Sequence, residues 1–427
     1  MKKILPILPL GAAVLAACGF VSAGTQQTAP DGLPAGPVLF APWFESEFLV
    51  DSNVFSSLNP VPDVVTTVRA GVTAYVPIRM SDLQIGYTGN TYFYRDAVFE
   101  GTETHEGSAL FNLNFSNYST LTLKETYTSG TTERQAFEDS DEPVSIGIPF
   151  SRNRFAVEWL RDVANQPSWK ARVEHWRHSY DTVVDNLPWL DYEGWDVEYS
   201  YAQPFYRRGA LTGRYEARRQ DHFESGEPNV AEDGPLRREV YDALEVGYSG
   251  IVGRRQPLYV SLGYGRFGLR DVQRSDDYKH LPPPTDYRGL VGSIRWRLPV
   301  GTNNVEISAS RAPLASSLNT YYLVNDLRVT FDRRFLEVSR YGVLLLTSRN
   351  AYGESVTRTA NELGATNCGE DLIRRDQQHR IQGFWEWFIQ PRIALRITAD
   401  RTRRNSNCET ANFRSDGLGL MLRTGWF

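Results

Sequence analysis

The sequence predicts an all-β protein, a transmembrane antiparallel up-and-down β-barrel of about 18 strands. Three observations lead to this fold class. Apolar and polar residues alternate with a period of two along most of the chain after Val38. The connections between the alternating segments are short and long in turn, and the chain begins with an export signal. After that signal no apolar run approaches the length that a spanning helix needs.

The alternation is clear in several segments. In SDLQIGYTGNTYF, Leu83, Ile85 and Tyr87 share one face, and Gln84 and Thr88 share the other. The same pattern occurs in RFAVEWL, DLRVTFD and RIALRITADR. Helical spacing would break these faces, because a helix brings together residues three or four apart. We therefore expect strands of about 9–14 residues, in the even number that is typical of outer-membrane barrels.

The connections indicate which end of the barrel faces which compartment. Short connections carry turn residues, and long polar connections lie between them. In outer-membrane barrels the short turns are periplasmic and the long loops are extracellular. The sequence therefore predicts both chain ends on the turn side, with tight periplasmic turns at Pro77, Pro167, Pro204 and Pro391.

The N-terminus reads as a secretory signal over residues 1–23. A basic start at Lys2 and Lys3 precedes an apolar run and then small residues, as signal peptides require. Two processing sites fit: a lipobox ending at Cys18, which would be lipidated, and ordinary cleavage after Ala23. We expect residues 24–37 to be a short periplasmic segment and residues 38–427 to be the barrel.

The sequence GLGLMLRTGWF, which ends at Phe427, fits a closing strand. Leu418, Leu420 and Leu422 alternate, and Trp426 continues their face. The last strand of a closed barrel must pair with the first. The stretch resembles the C-terminal signal by which barrel-insertion machinery recognises outer-membrane proteins, so we expect Trp426 and Phe427 to serve as that signal. Phe427 is one step out of phase with the usual pattern.

The first strands resemble a known family. FAPWFESEFLVDSNVF, DVVTTVRAGVTAYVPIRMSDLQIGYTGNTYFY, THEGSALFNLNF and STLTLKETY are similar to β-barrel porins associated with bacterial exopolysaccharide export. Asp51, Asn53 and Phe55 match the end of that family's first strand. The resemblance implies an outer-membrane pore that takes part in polysaccharide export, with polysaccharide and periplasmic export components as partners.

The sequence contains little that suggests an enzyme. Six histidines are scattered, and His175 and His178, three apart on a predicted strand, point to opposite faces. We therefore predict no catalytic residues, no metal site and no cofactor. The net charge of −5 argues against nucleic acid as a partner. Lipid and lipopolysaccharide of the outer membrane are the expected surroundings.

Charged residues concentrate on the predicted lumenal face, because a charge in the lipid costs about 2–4 kcal/mol near the midplane. One interpretation is that these charges pair across strands and hold the wall. The other is that unpaired arginines select anions or acidic sugars. The Arg-rich strands supply the pore-lining candidates Arg208, Arg214, Arg218, Arg392, Arg396 and Asp400.

The third long connection, Gly130–Ser151, is acidic and could narrow the pore, by analogy with the inward-folded third loop of general-diffusion porins. Its candidate constriction residues are Glu138, Asp139, Asp141 and Glu142. An exposed, solvated loop is the alternative.

Cys368 and Cys408 are the two cysteines beyond the signal segment. They fall in neighbouring long connections on one side of the barrel, and exported proteins commonly pair such cysteines. We therefore predict a Cys368–Cys408 disulfide.

These observations lead to one main functional hypothesis, an outer-membrane pore that takes part in exopolysaccharide export. The alternative is a general or substrate-selective diffusion porin for small solutes. A structural barrel with a sealed lumen is a third class.

Overall fold

The computed structural model describes residues 32–54, 59–96, 101–131, 149–180, 190–205, 208–224, 237–253, 255–270, 286–301, 303–315, 321–335, 338–352, 374–408 and 411–425. These residues form strands joined by turns and loops, with no helical element among them. The described part of the chain accordingly contains no helix that is long and apolar enough to cross a membrane.

Nineteen strands are present in the described residues. They are β1 (Leu33–Ala35), β2 (Val38–Asp51), β3 (Asp63–Ile78), β4 (Ser81–Tyr94), β5 (Thr102–Ser116), β6 (Ser119–Thr131), β7 (Pro149–Arg161), β8 (Ser168–Tyr180), β9 (Leu190–Pro204), β10 (Gly209–Glu224), β11 (Arg237–Val252), β12 (Gln256–Arg270), β13 (Tyr287–Val300), β14 (Asn303–Ala315), β15 (Tyr321–Phe335), β16 (Ser339–Tyr352), β17 (Arg375–Gln390), β18 (Ile393–Ser406) and β19 (Phe413–Gly425).

The strands from β2 to β19 form a closed antiparallel barrel. Each pairs with the next along the chain, and β19 returns to pair with β2, from Gly417 opposite Asp51 to Gly425 opposite Trp43. The short β1 forms a hairpin on the first residues of β2, where β19 no longer reaches. The predicted fold class, an up-and-down barrel of about 18 strands, is confirmed.

Each strand separates two environments. On β2 the outward side chains Phe48 and Val50 are 49% and 47% exposed, whereas the inward Glu45 is 8% exposed. The same division follows the registers around the sheet, because directly paired residues point to the same face. The outward face is therefore apolar over most of its height, and the inward face carries the buried charged side chains together with a few apolar clusters, such as the one around Tyr241, Phe267 and Val291.

The two ends of the barrel differ as predicted. Strand pairs such as β3–β4, β5–β6 and β17–β18 are joined by two-residue turns, and the longer connections lie at the opposite end. Arg79 and Gly253 have φ values of 53° and 62°, the left-handed conformation that tight turns use. Pro77 and Pro204 lie inside the ends of β3 and β9, so their predicted turn positions are wrong.

The strands of the barrel are longer than predicted, at 13–16 residues against about 9–14. The reason is visible on β18. Its outward residues are apolar from Leu395 to Ala399 and then become polar at Arg401, Arg403 and Asn405, yet the ladder continues to Ser406. Apolar alternation reports only the part of a strand that faces lipid, and these strands extend beyond it.

Tryptophans mark the turn end of the outward face. Trp159 and Trp169 meet edge to face with ring centroids 4.4 Å apart, and Trp385 and Trp387 are 56% and 50% exposed. Amphipathic aromatic rings at this level are typical of a membrane interface. A closed sheet leaves no backbone edge unpaired in lipid, which is the condition for a strand protein to span a membrane.

Candidate functional site

The lumenal wall contains a dense network of ion pairs. Its centre is Arg214 on β10, whose guanidinium lies 3.1 Å from a Glu198 oxygen, 2.8 Å from one of Glu216 and 3.2 Å from one of Glu245. Lys170 also lies 3.3 Å from Glu198. The carboxylates are almost fully buried, so each depends on these partners rather than on water. This part of the wall fits the interpretation that lumenal charges pair across strands.

A second chain of charges crosses the seam where β19 meets β2. Glu45 accepts from Arg69 on β3 and from Arg423 on β19, both at 3.0 Å. Arg423 and Arg396 then lie 3.8 Å and 3.5 Å from the same oxygen of Glu386 on β17. These contacts connect five consecutive strands across the closure, which we call the seam network.

A cavity of about 330 Å³ opens in the wall beside the Arg214 network. The registers explain its position, because Tyr259, Arg295, Ser308 and Arg328 stand opposite one another on four adjacent strands, β12 to β15. Small serines between two arginines leave room that larger side chains would fill. We call this space the β12–β15 cavity; it is lined by Arg214, Tyr259, Ser293, Ile294, Arg295, Ser308, Ala309, Ser310, Asp326 and Arg328.

The charges of the cavity are not all neutralised. Arg295 lies 3.6 Å from Glu306, a carboxylate that Arg297 also binds. Arg328 is exposed and makes no ion pair with any residue that the structure describes. Asp326 is the one carboxylate in the lining. The β12–β15 cavity therefore presents guanidinium groups to the lumen without an equal number of carboxylates.

This arrangement suits recognition of anions and hydroxylated solutes. A guanidinium presents a planar fork of N–H donors that matches carboxylate and phosphate. Serine and tyrosine hydroxyls both donate and accept, so they can bond polar groups of either kind. The lining is therefore suited to binding and selecting such solutes.

The structure places the pore-lining candidates in different environments. Arg214, Arg218 and Arg396 face the lumen, Arg218 lies 3.0 Å from Glu216, and Arg396 lies over the Phe384 ring at 4.3 Å. Asp400 shares their lumenal face, opposite Gly417. Arg208 and Arg392 lie in turns, so the prediction that both line the pore from a strand is corrected to positions at the rim.

Other predicted site residues lie outside the described residues. They are the constriction-loop candidates Glu138, Asp139, Asp141 and Glu142, the insertion-signal residues Trp426 and Phe427, the lipidation candidate Cys18 and the disulfide candidate Cys368. Their roles remain predictions.

The histidines take the opposite orientations that their spacing predicts. His175 points outward, where Nε2 lies 2.8 Å from Glu193, and His178 packs inside between Phe150 and Tyr192. Within the described parts of the chain, no group of His, Cys, Asp and Glu side chains is arranged to hold a metal ion.

The cysteine prediction can be tested directly. Cys408 is fully buried at the loop end of β18. A bond to Cys368 would close a segment of about 40 residues and add roughly 3–4 kcal/mol in the chain-entropy description. Mass spectrometry of peptides alkylated without reduction is expected to recover the two cysteines as one linked species. Recovery of two separately alkylated peptides would show that both thiols are free.

The sequence reasoning missed the β12–β15 cavity, although both of its exposed arginines alternate with apolar neighbours. The alternation places Arg295 and Arg328 on the predicted lumenal face together with many other arginines, and nothing in their own strands singles them out. Only the cross-strand registers show that Ser308 separates them.

Comparison with known proteins supports the fold. No protein-family model matches the sequence, and no curated protein matches it. The structure resembles OpdK of Pseudomonas aeruginosa, solved with vanillate (10% identity, 91% of this chain and 99% of that chain, TM-score 0.48). It also resembles the FrpB iron transporter of Neisseria meningitidis, F5-1 variant, in its apoprotein form (9% identity, 88% of this chain and 62% of that chain, TM-score 0.52).

At these identities the likeness shows the fold alone. The closed 18-strand barrel, its apolar outward face and its tryptophan girdle make the chain an outer-membrane β-barrel. The comparisons do not support the predicted association with exopolysaccharide export.

Proposed function

We propose that the protein is a diffusion channel of the bacterial outer membrane for small polar solutes, with a preference for anions. The observation that carries the proposal is Arg328, an exposed lumenal guanidinium without a described ion-pair partner, beside Arg295 in the β12–β15 cavity. A positive group with water on one side and a low-dielectric wall on the other attracts anions over several ångströms. Serine hydroxyls next to it replace part of the hydration of a passing solute.

The region of the lumenal wall where charges form ion pairs supports the same function. Because Arg214, Lys170 and Arg218 balance Glu198, Glu216 and Glu245, that region contributes rigidity and little net charge. The selectivity between anions and cations then depends on the part of the wall where the charges are not balanced. This combines both interpretations of the lumenal charges, with pairing around β9–β11 and selection around β12–β15.

The test is conductance of the purified protein in planar lipid bilayers. We expect stepwise channels and, in a KCl gradient, a reversal potential whose sign indicates anion preference. A sealed barrel would give no steps. Channels that prefer cations would contradict the assignment of Arg328 and Arg295 as the selective groups.

Export of an exopolysaccharide, which the family resemblance implies, is the second candidate. Its distinguishing result is loss of surface polymer after gene deletion, with uptake of small anions unchanged. Reduced uptake of small anions with normal surface polymer is the result we expect. The two measurements on one deletion strain separate the functions.

A further inference from the structure

The outward face carries a basic patch at the loop end of β16 to β19. The patch, which we call the basic patch throughout, consists of Arg349, Arg375, Arg401, Arg403 and Arg414. All five side chains are exposed on the outer surface of the barrel. None of them contributes to the lumenal site described above.

The registers bring these arginines together. Arg403 stands opposite Arg414 on β19 and opposite His379 on β17. Arg401 is two residues nearer the membrane, and Arg349 is opposite Gln377 one level further out. Neighbouring strands are about 4.8 Å apart, so the guanidinium groups can reach a common ligand.

Among the described residues, acidic side chains do not balance the patch. Asp416 is the one carboxylate on the outward face of the described part of these four strands. It is shared by Arg401 at 3.3 Å and Arg414 at 2.7 Å. Arg403 donates to the neutral Asn405 side chain at 2.8 Å. Arg349 makes no ion pair with any described residue, so the basic patch has a clear positive excess.

An apolar surface lies directly below the patch. Ile381 is opposite Arg401, and Leu345, Ile381, Leu418 and Leu420 are 44%, 53%, 57% and 47% exposed. Two residues along a strand span about 7 Å, so the change from apolar to basic is abrupt. A ligand that covers both regions must combine acyl chains with an anionic headgroup at a fixed height.

The two ends of these strands are not alike. At the turn end, the outward residues of β17 are Trp385, Trp387 and Ile389, which are aromatic or apolar and exposed. Arginine at the loop end and tryptophan at the turn end match a bilayer whose two leaflets carry different headgroups. In outer-membrane barrels the loop end faces the outside of the cell, where the leaflet is a phosphorylated glycolipid.

We propose that the basic patch binds the phosphate groups of the outer-leaflet glycolipid, lipopolysaccharide, while its acyl chains lie on the leucine and isoleucine surface below. Guanidinium forks bind phosphate oxygens bidentately, and several arginines can surround one phosphate. Lysine side chains do not reproduce this geometry on the protein, and neutral headgroups do not reproduce it on the lipid. The lipid bound at β16–β19 stays at this site, whereas the lipid around the rest of the barrel exchanges freely.

The test uses the full-length barrel in detergent and native mass spectrometry. The probes are bis-phosphorylated lipid A, the same lipid A with both phosphates removed, and phosphatidylglycerol. We expect the wild type to retain the phosphorylated lipid about tenfold or more over either of the others, as a few charge-assisted hydrogen bonds would give. Equal retention of dephosphorylated lipid A, or of phosphatidylglycerol, would overturn the proposal without any variant.

A matched pair of variants locates the site. Arg349→Gln, Arg401→Gln and Arg403→Gln together should abolish the preference. The control removes three arginines from the turn end, Arg79→Gln, Arg161→Gln and Arg255→Gln, and should retain it. Migration of unheated samples on gels verifies folding of both. An unchanged preference in the first variant, or an equal loss in both, would show that the basic patch is not the binding site.

Discussion

Arg295→Glu combined with Arg328→Glu is expected to turn the proposed anion-selective channel into a cation-selective one. The double variant replaces two guanidinium groups of the β12–β15 cavity with two carboxylates, a change of four charge units within one cavity of about 330 Å³. The local potential should therefore change sign. We expect the anion-to-cation permeability ratio to fall by about tenfold or more. Reversal potentials in a KCl gradient measure it.

The matched control places the same changes on the outer surface of the same region. Arg288→Glu and Arg311→Glu lie on β13 and β14 but point away from the lumen. They should leave the permeability ratio within about twofold of the wild type, because an outward charge is separated from the pore by the wall and screened by salt. Equal shifts in both variants would place selectivity elsewhere.

Glu45→Ala is expected to destabilise the barrel by about 3–5 kcal/mol, the usual result when one member of a buried charge group is removed. Glu45 holds Arg69 and Arg423 at 3.0 Å each, and its own side chain is 11% exposed. Without it, two guanidinium groups on opposite sides of the seam lose their shared carboxylate. The midpoint of unfolding in guanidinium chloride, followed by tryptophan fluorescence in detergent, measures the change.

A control for charge removal is available in the same protein. Asp96→Ala breaks an ion pair with Arg95 in which both side chains are more than half exposed, 71% and 62%. Exposed pairs contribute about 0–1 kcal/mol, so this variant should unfold near the wild-type midpoint. If Glu45→Ala behaves like Asp96→Ala, the seam network contributes nothing measurable to stability.

Much of the architecture could be predicted because lipid and water impose a simple rule on each strand. On β4, Leu83, Ile85 and Tyr87 face lipid as their alternation requires. Strand ends were less predictable, since β18 continues past Ala399 after the lipid contact has ended and no apolar signal remains. Pro77 was misplaced for a related reason, because a proline is tolerated at the end of a strand as well as in a turn.

The candidate site was less predictable than the fold. The face of the strand on which a side chain lies could be read from the alternation, so Arg214 and Arg396 were correctly assigned to the polar side. Whether a charge is neutralised depends on registers between strands that are far apart in the sequence. Glu45 and Arg423 meet across the seam, and no local pattern contains that information. The same limit applies to Arg328, because alternation places it on the lumenal face but does not show which neighbouring strands lack a carboxylate to pair with it.

The closure between β19 and β2 has a consequence for the order of folding. Ser415 donates to Asp51 at 2.6 Å across a sequence separation of 364 residues, whereas the other barrel ladders join strands that follow one another along the chain. Contacts between distant residues form slowly, because the chain between them must already be ordered. The β19–β2 ladder is therefore expected to form last. Until it does, the intermediate is an open sheet with two unpaired edges, and each edge can capture a strand of another molecule. Refolding yield should consequently fall with protein concentration, while the rate of secondary-structure formation should not.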